Sequence, residues 1–176
     1  GTLNEDQLSI LKRSANSADY LHSTIGNFLN LSRIEEGGLR LTLREADLRL
    51  DIAEPVLARL SEMAADNAMR FNCAIPAGTV LVCDPALMTS VFENLLSNAV
   101  KYGLSGSEVR IDFESDPDRQ MRRITFFNDG PGFSAEESKS LFTKFSRFSA
   151  ANYSTKSGTG LGLFVAKIIV EKHGGI

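Results

Sequence analysis

Asn94, Asn98, Lys101 and Tyr102 recur at spacings of three and four residues in the stretch NLLSNAVKYG, so on a helix they share one face. Two amides and an ammonium arranged this way can bind a polyanion together with its metal. Mg²⁺ suits such a face, because it takes about one or two oxygen ligands from protein and the rest from phosphate and water. Taken alone, the pattern is also the polar outer side of an amphipathic helix held down by Val91, Leu95, Leu96 and Val100. Asp129 closes a strand-like run and precedes Gly130, Pro131 and Gly132, a turn that lets a ligand come close to the backbone. In a dry pocket such a carboxylate accepts strongly and selectively from an exocyclic amine, although a lone Asp-Gly pair is also an ordinary turn. In LFTKFSRF, Phe142, Phe145 and Phe148 surround Lys144 and Arg147. Phenylalanines at this spacing read first as core, and Phe142 and Phe145 are expected there. The Arg147 guanidinium can grip phosphate through paired donors and stabilise charge on a transferring phosphoryl group, with Lys144 as its solvated neighbour. Gly158, Gly160 and Gly162 in GTGLGL open a periodic segment whose apolar face includes Leu163, Ala166, Ile169 and Val170. Free amides at a helix start, reached past residues without side chains, cradle phosphate.

These groups need a scaffold, and the periodicity supplies one. The first 36 residues read as one helix with a coiled-coil seam of Leu8, Leu11, Ala15, Ala18, His22, Ile25, Leu29 and Ser32, stopped by Gly37 and Gly38. Short strands and helices then alternate, which predicts a mixed α/β domain. Residues 39–43 alternate as a half-buried strand does. Asp51 with Glu54 reads as a capping pair for a helix to Ala68 with Leu57, Leu60, Met63 and Ala64 inward. Pro55 stands in the first turn of that helix or, if the helix begins earlier, kinks it. Strands are expected at 71–75 and 79–83 around the Pro76 and Gly78 turn, and a hairpin at 108–114 and 122–128. Between them Asp84 caps a helix with Pro85 at its first position. Ser134 with Glu137 forms a capping box, residues 149–157 lack periodicity and read as a mobile lid, and His173 suits the end of the last helix.

Composition narrows the classes. With 176 residues, 43% of them hydrophobic, the chain can bury one substantial core and a small appended element. A net charge of -3 with scattered Lys and Arg leaves no basic footprint for nucleic acid. No apolar run approaches the roughly 18 residues of a spanning helix and no signal peptide is visible, so a soluble, cytoplasmic chain without membrane contact is expected. Cys73 and Cys83 lie in apolar strand-like runs and read as buried thiols of a reducing compartment.

The four stretches NLLSNAVKYG, NDGPGF, LFTKFSRF and GTGLGL, in this order, resemble the ATP-binding domain of sensor histidine kinases. DYLHSTIGNFLNLSRIEEGGLRL is similar to the second helix of that family's dimerisation hairpin and its exit into the ATP-binding domain, and the resemblance runs from Asp6 to Ile176. It implies a Bergerat-type α/β (α+β) fold, a two-layer sandwich of helices on a mixed, mainly antiparallel sheet. Residues 38–176 would form that domain and residues 1–37 the hairpin helix, the whole being a fragment at both ends. By the same resemblance Asn98 gives its oxygen to Mg²⁺, Asn94 lies near the phosphates, Lys101 binds a phosphate oxygen and Tyr102 lines the nucleotide site. Asp129, with Gly130, Gly132 and Phe133, reads adenine. Arg147 meets the γ-phosphate, and Gly158, Thr159, Gly160, Leu161, Gly162 and Leu163 wrap the phosphates. Arg147, Lys101 and Asn94 would be catalytic in an ATP-dependent protein-histidine kinase.

The implied partners are an upstream phosphoacceptor helix, a response-regulator receiver domain and a second copy in a full-length homodimer, which could be a membrane-bound sensor with this part in the cytoplasm. His22 is followed by STIGN, whereas the family's acceptor histidine is followed by an acidic residue, then a basic residue and Thr-Pro; His22 therefore reads as a seam residue. Gyrase, Hsp90 and MutL type ATPases carry a general-base glutamate where Asn94 stands, and Glu93 points about 100° away around a helix. An amide accepts no proton, which argues for transfer over hydrolysis. The alternatives are a catalytically silent nucleotide- or partner-binding module and an ATP-hydrolysing clamp.

Overall fold

The computed structural model describes residues 3–116, 121–146 and 158–176, in two units, residues 1–39 and 40–176. The first unit holds one helix, α1 (Glu5–Glu35). Asn4 Oδ1 accepts from the Gln7 N–H at 2.8 Å and Gln7 Oε1 from the Asn4 N–H at 3.0 Å, a reciprocal cap that satisfies two otherwise orphaned donors. The helix stops at Gly37, whose φ of +68° brings the Gly38 N–H to within 2.8 Å of Arg33 O. Of the expected seam, Leu8, Leu11, Ala15, Ala18, Ile25 and Leu29 are exposed and Ser32 is half-buried.

In the second unit β1 (Arg44–Asp47), α2 (Glu54–Asp66), β2 (Arg70–Cys73), β3 (Val80–Cys83), α3 (Pro85–Tyr102), β4 (Glu108–Asp116), β5 (Met121–Asn128), α4 (Ala135–Ser140) and α5 (Gly162–Lys172) follow in order. A π-helical segment, Leu48–Ala53, joins β1 to α2. The strand expected at 39–43 forms instead at Arg44–Asp47, because the register is chosen by β3, with Arg44 opposite Cys83. The Thr42 N–H is taken by the Asp84 carboxylate at 2.8 Å. Nor does Asp51 cap α2: its carboxylate accepts from the Asp47 N–H at 2.9 Å, and Glu54 pairs with Arg49 at 2.9 Å. Asp47 caps the π-helical segment, accepting from the N–H groups of Arg49 at 2.8 Å and Leu50 at 2.9 Å, and α2 itself follows from Ala53 without a side-chain cap. Pro55 falls in the first turn of α2, directly after the π-helical segment, so the helical turns begin ahead of it. Val56, Leu60 and Ala64 are the buried residues of α2, while Leu57 and Met63 are half-buried.

Among the described residues two sheets form, an antiparallel pair β1-β3 and a mixed sheet in the order β2-β4-β5. In the mixed sheet β2 runs parallel to β4, and β4 antiparallel to β5. β2 and β3 therefore belong to different sheets although they are neighbours in sequence. Val109 and Ile111 of β4 are fully buried, and the Phe126 ring of β5 meets Phe92 of α3 edge-on at 4.9 Å. Burying a side chain of the size of Phe92 contributes roughly 1.5–3 kcal/mol, so this contact fixes α3 on the sheet. α5 packs in turn on α3. Helices over a mixed sheet make the two-layer Bergerat-type α/β fold. No described helix is long and apolar enough to cross a membrane, and Cys73 and Cys83 are free thiols.

Candidate functional site

α3 begins where expected. Asp84 Oδ1 accepts from the Leu87 N–H at 3.1 Å, and Pro85 occupies the first turn. With Val91, Phe92, Leu96 and Val100 buried, the opposite side of the helix is left to the polar residues. Asn94 lies deepest, 8% exposed, and its Nδ2 donates to Ser90 O at 2.9 Å. Asn98, one turn later, is half-buried, and among the described residues its amide makes no hydrogen bond. Lys101 is half-buried, and burial pushes its ammonium below the ordinary lysine value. Tyr102 ends the helix with its hydroxyl directed at Gly158, where a Cβ would stand 3.7 Å from Oη.

The Asp129 turn is docked on the end of the same helix. Its carbonyl accepts from the Leu104 N–H at 2.8 Å, just past α3, while Asp129 itself is exposed. A Cβ on Gly130 would lie 3.1 Å from Tyr102 O and 3.3 Å from Asn128 Nδ2, so the turn comes against α3 through a residue without a side chain. Gly132 and Phe133, which follow, are exposed.

The glycine stretch is held to α3 and to the segment after α4 by contacts that a methyl group would block. Gly160 has a φ of +70°, and a Cβ there would stand 2.7 Å from Phe145 C and 2.8 Å from Ser146 O. A Cβ on Gly162 would stand 2.7 Å from Asn94 Oδ1. The Leu161 N–H reaches Thr159 Oγ1 at 3.4 Å, and Leu161 is buried. α5 then buries Val165, Ala166 and Ile169, with Leu163 and Val170 half-buried. Asn94, Tyr102, Asp129, Gly130, Gly158 and Gly162 thus come together around α3. Asn98 and Lys101 lie on the same helix.

Two expectations need correction. Phe142 and Phe145 are 46% and 63% exposed, not core. α4 ends at Ser140, so the segment runs as turns and the threefold spacing has no helix to act on; Phe145 even has a φ of +61°. Lys144 is exposed as expected, with its ammonium 5.2 Å from the centre of the Phe164 ring. Arg147, Phe148 and the expected lid at 149–157 lie outside the described residues.

Sequence reasoning missed several contributors. A Cβ on Gly103 would stand 2.5 Å from both Ala99 O and Met69 Cε, which a glycine directly after a helix could have signalled. Ser90 anchors Asn94 through its carbonyl, a role any residue type fills and no sequence signal marks. Glu93 pairs with Arg59 of α2, which engages it away from the glycine stretch.

A profile of the Histidine kinase-, DNA gyrase B-, and HSP90-like ATPase family matches residues 83–176, more than half of the chain. The chain belongs to that family. Among relatives similar to this chain are the sensor protein kinase WalK of Staphylococcus haemolyticus and the circadian input-output histidine kinase CikA of Synechococcus elongatus. WalK is 30% identical over 180 residues, covering 99% of this chain and 29% of WalK. CikA is 31% identical over 178 residues, covering 99% of this chain and 23% of CikA. The chain therefore spans under a third of the length of these relatives. The Acinetobacter baumannii histidine kinase AdeS superposes with a TM-score of 0.71 at 23% identity, over 97% of this chain and 75% of AdeS. Full-length ShkA in complex with AMPPNP does so with a TM-score of 0.71 at 20% identity, over 99% of this chain and 35% of ShkA. As a member of an ATPase family this chain uses nucleotide, and its matched residues include Asn94, Asp129 and the glycine stretch.

Proposed function

We propose that this chain is the ATP-binding catalytic part of a sensor histidine kinase, residues 38–176 forming the catalytic domain and residues 1–37 the second helix of the dimerisation hairpin. The observation that carries the reading is the contact between Asn94 and Gly162. The residue facing the glycine helix start is an amide, anchored on Ser90, while the neighbouring carboxylate of Glu93 is engaged by Arg59. An amide cannot take a proton from water, so the site is suited to transfer to an imidazole, which is already a nucleophile. Asn94, Lys101 and Arg147 are the proposed catalytic residues.

The amides of Gly158, Thr159, Gly160, Leu161, Gly162 and Leu163 would receive the phosphates, and Lys101, whose ammonium burial disfavours, recovers solvation from a phosphate oxygen. Asp129, beside Gly130, Gly132 and Phe133, accepts from the adenine amino group. Guanine would set its carbonyl oxygen against that carboxylate. Tyr102 lines the site between them, and Arg147 is assigned to the γ-phosphate. Asn98 fits Mg²⁺, because it offers an amide oxygen with no hydrogen bond among the described residues. No group of three or more His, Cys, Asp or Glu among those residues competes for the ion. Bound there, Mg²⁺ supplies neutralisation of phosphate charge. The partners are a phosphoacceptor helix, the receiver domain of a response regulator and a second copy of the kinase, in the cytoplasm where ATP is available.

Incubation of the chain with Mg²⁺-ATP tests the reading. Nucleotide binding without steady phosphate release is expected, together with acid-labile, alkali-stable label on histidine once the phosphoacceptor helix is supplied. Steady phosphate release without any acceptor would identify a hydrolysing clamp, and binding without label on the complete kinase a silent module.

A further inference from the structure

Asp84 is 7% exposed, and every polar group it has is used. Its carbonyl accepts from the Met88 N–H at 2.9 Å, Oδ1 from Leu87 at 3.1 Å and Oδ2 from Thr42 at 2.8 Å. The remaining group, its N–H, donates to His173 Nε2 at 3.0 Å. An N–H cannot accept, so Nε2 carries the lone pair and the ring proton sits on Nδ1, where Ile169 O receives it at 2.7 Å. His173 is therefore bound on both nitrogens, one to the end of its own helix and one to the start of α3.

α3 and α5 are thus joined at two places, Asp84 with His173 and Asn94 with Gly162. Ten residues separate the two points on α3 and eleven on α5, about 15 and 16 Å at a rise of about 1.5 Å per residue. The helices therefore run antiparallel in matched register. Gly162 sits at the ligand end of this pair and His173 at the far end. Buried apolar side chains between them, such as Val165 and Ile169, hold the helices together through non-directional contacts, to which the His173 bonds add a directional one at the far end.

We infer that His173 is a positioning residue for the nucleotide site: its neutral imidazole locks the register of α5 on α3 and thereby holds the glycine start of α5 against Asn94. The inference rests on the nucleotide reading above, because its effect is read at that site. A displacement of about 1 Å in such a site costs up to about a hundredfold in function, so loss of the far pin should be felt at the near one.

The test uses the whole chain. Long-range ¹⁵N correlation of the imidazole is expected to show the proton on Nδ1 and a bare Nε2, and a proton on Nε2 would overturn the inference without any mutation. His173→Phe keeps a ring and loses both bonds, whereas His173→Gln keeps an acceptor and a donor at similar separation. In folded protein, His173→Phe should weaken Mg²⁺-ADP binding about tenfold and shift the Asn94 side-chain amide resonance, with His173→Gln restoring affinity to within about threefold. Unchanged affinity and an unmoved Asn94 resonance in folded His173→Phe would overturn it, as would a His173→Gln variant no better than His173→Phe. If the unmodified chain fails to bind Mg²⁺-ADP, the nucleotide reading is what fails. The tautomer and the Asn94 resonance then still decide the positioning role.

Discussion

Replacing Gly162 with Ala measures how tightly the glycine stretch is set against α3. In an open helical position the change favours the helix by up to about 1 kcal/mol. Here the new Cβ would stand 2.7 Å from Asn94 Oδ1 and 3.3 Å from its Cγ, so something must retreat by several tenths of an ångström. Asn94 is badly placed to do so, being 8% exposed and tied through Nδ2 to Ser90 O at 2.9 Å. Turning it away strands a buried donor, which costs about 1–3 kcal/mol, and backing α5 off α3 costs about the same in overpacking. Allowing for the propensity gain, Gly162→Ala should lose about 1–2 kcal/mol, or roughly 2–8 °C in Tm for a chain of this size. Thermal unfolding of Gly162→Ala, Asn94→Ala and the double variant gives the coupling directly. Asn94→Ala removes the obstructing amide, so in that background Gly162→Ala should cost at least about 1 kcal/mol less. Equal losses in both backgrounds would refute direct packing of Gly162 on Asn94. Gly26 of α1 provides the contrast: a Cβ there meets nothing within 4 Å, and Gly26→Ala should stabilise its helix.

Gly160→Ala combines a left-handed φ with backbone atoms closer than 3.0 Å, so the glycine stretch must part from Phe145 and Ser146, and calorimetry should find nucleotide binding lost in a folded chain. Asp129→Asn should abolish the added stability from Mg²⁺-ADP, about 2.7 kcal/mol at about 100 times the dissociation constant; an equal thermal shift in parent and variant would deny Asp129 its adenine role. Lys101 titrates below 10.5 because burial disfavours its ammonium, so from the folded value up to 10.5 the unfolded chain holds more protons and stability rises with pH in that window. A phosphate beside it should restore the ammonium, and proton uptake on ADP binding, read as a dependence of binding heat on buffer ionisation, should appear at alkaline pH and vanish in Lys101→Met. The N–H groups of Leu50, Arg49 and Gly78 hold the Asp47 carboxyl below the usual 3.8. Its stabilising contribution is therefore complete above 3.8 and lost as pH falls through the depressed folded value, so acid unfolding of Asp47→Asn should lack that component.

What the residues disclosed in advance were bonds that close within a few positions. The Asp84 and Pro85 start of α3 and the Ser134 and Glu137 box of α4 stand as read, since each cap binds an N–H three residues on. What stayed hidden was settled by partners far along the chain. The strand expected at 39–43 moved to Arg44–Asp47 because β3 and the Asp84 carboxylate, 42 residues from Thr42, chose the register. His173 looked like a residue favoured by the end of its own helix, while one of its ring nitrogens is engaged 89 residues away. Asp51 had the spacing of a cap, but the π-helical segment ahead of α2 spends its carboxylate on Asp47 instead. The candidate site shows the same division. Which residue types belong to it could be read from four short stretches, whereas what faces what could not. The glycines that touch Asn94 and Phe145 show why such a site needs glycine at those positions: each is a place where one element reaches another across a gap too narrow for a side chain. Spacing along the chain says that a close approach is possible. Which approach is made depends on how the helices register, and on α5 the directional bond at the far end is that of His173.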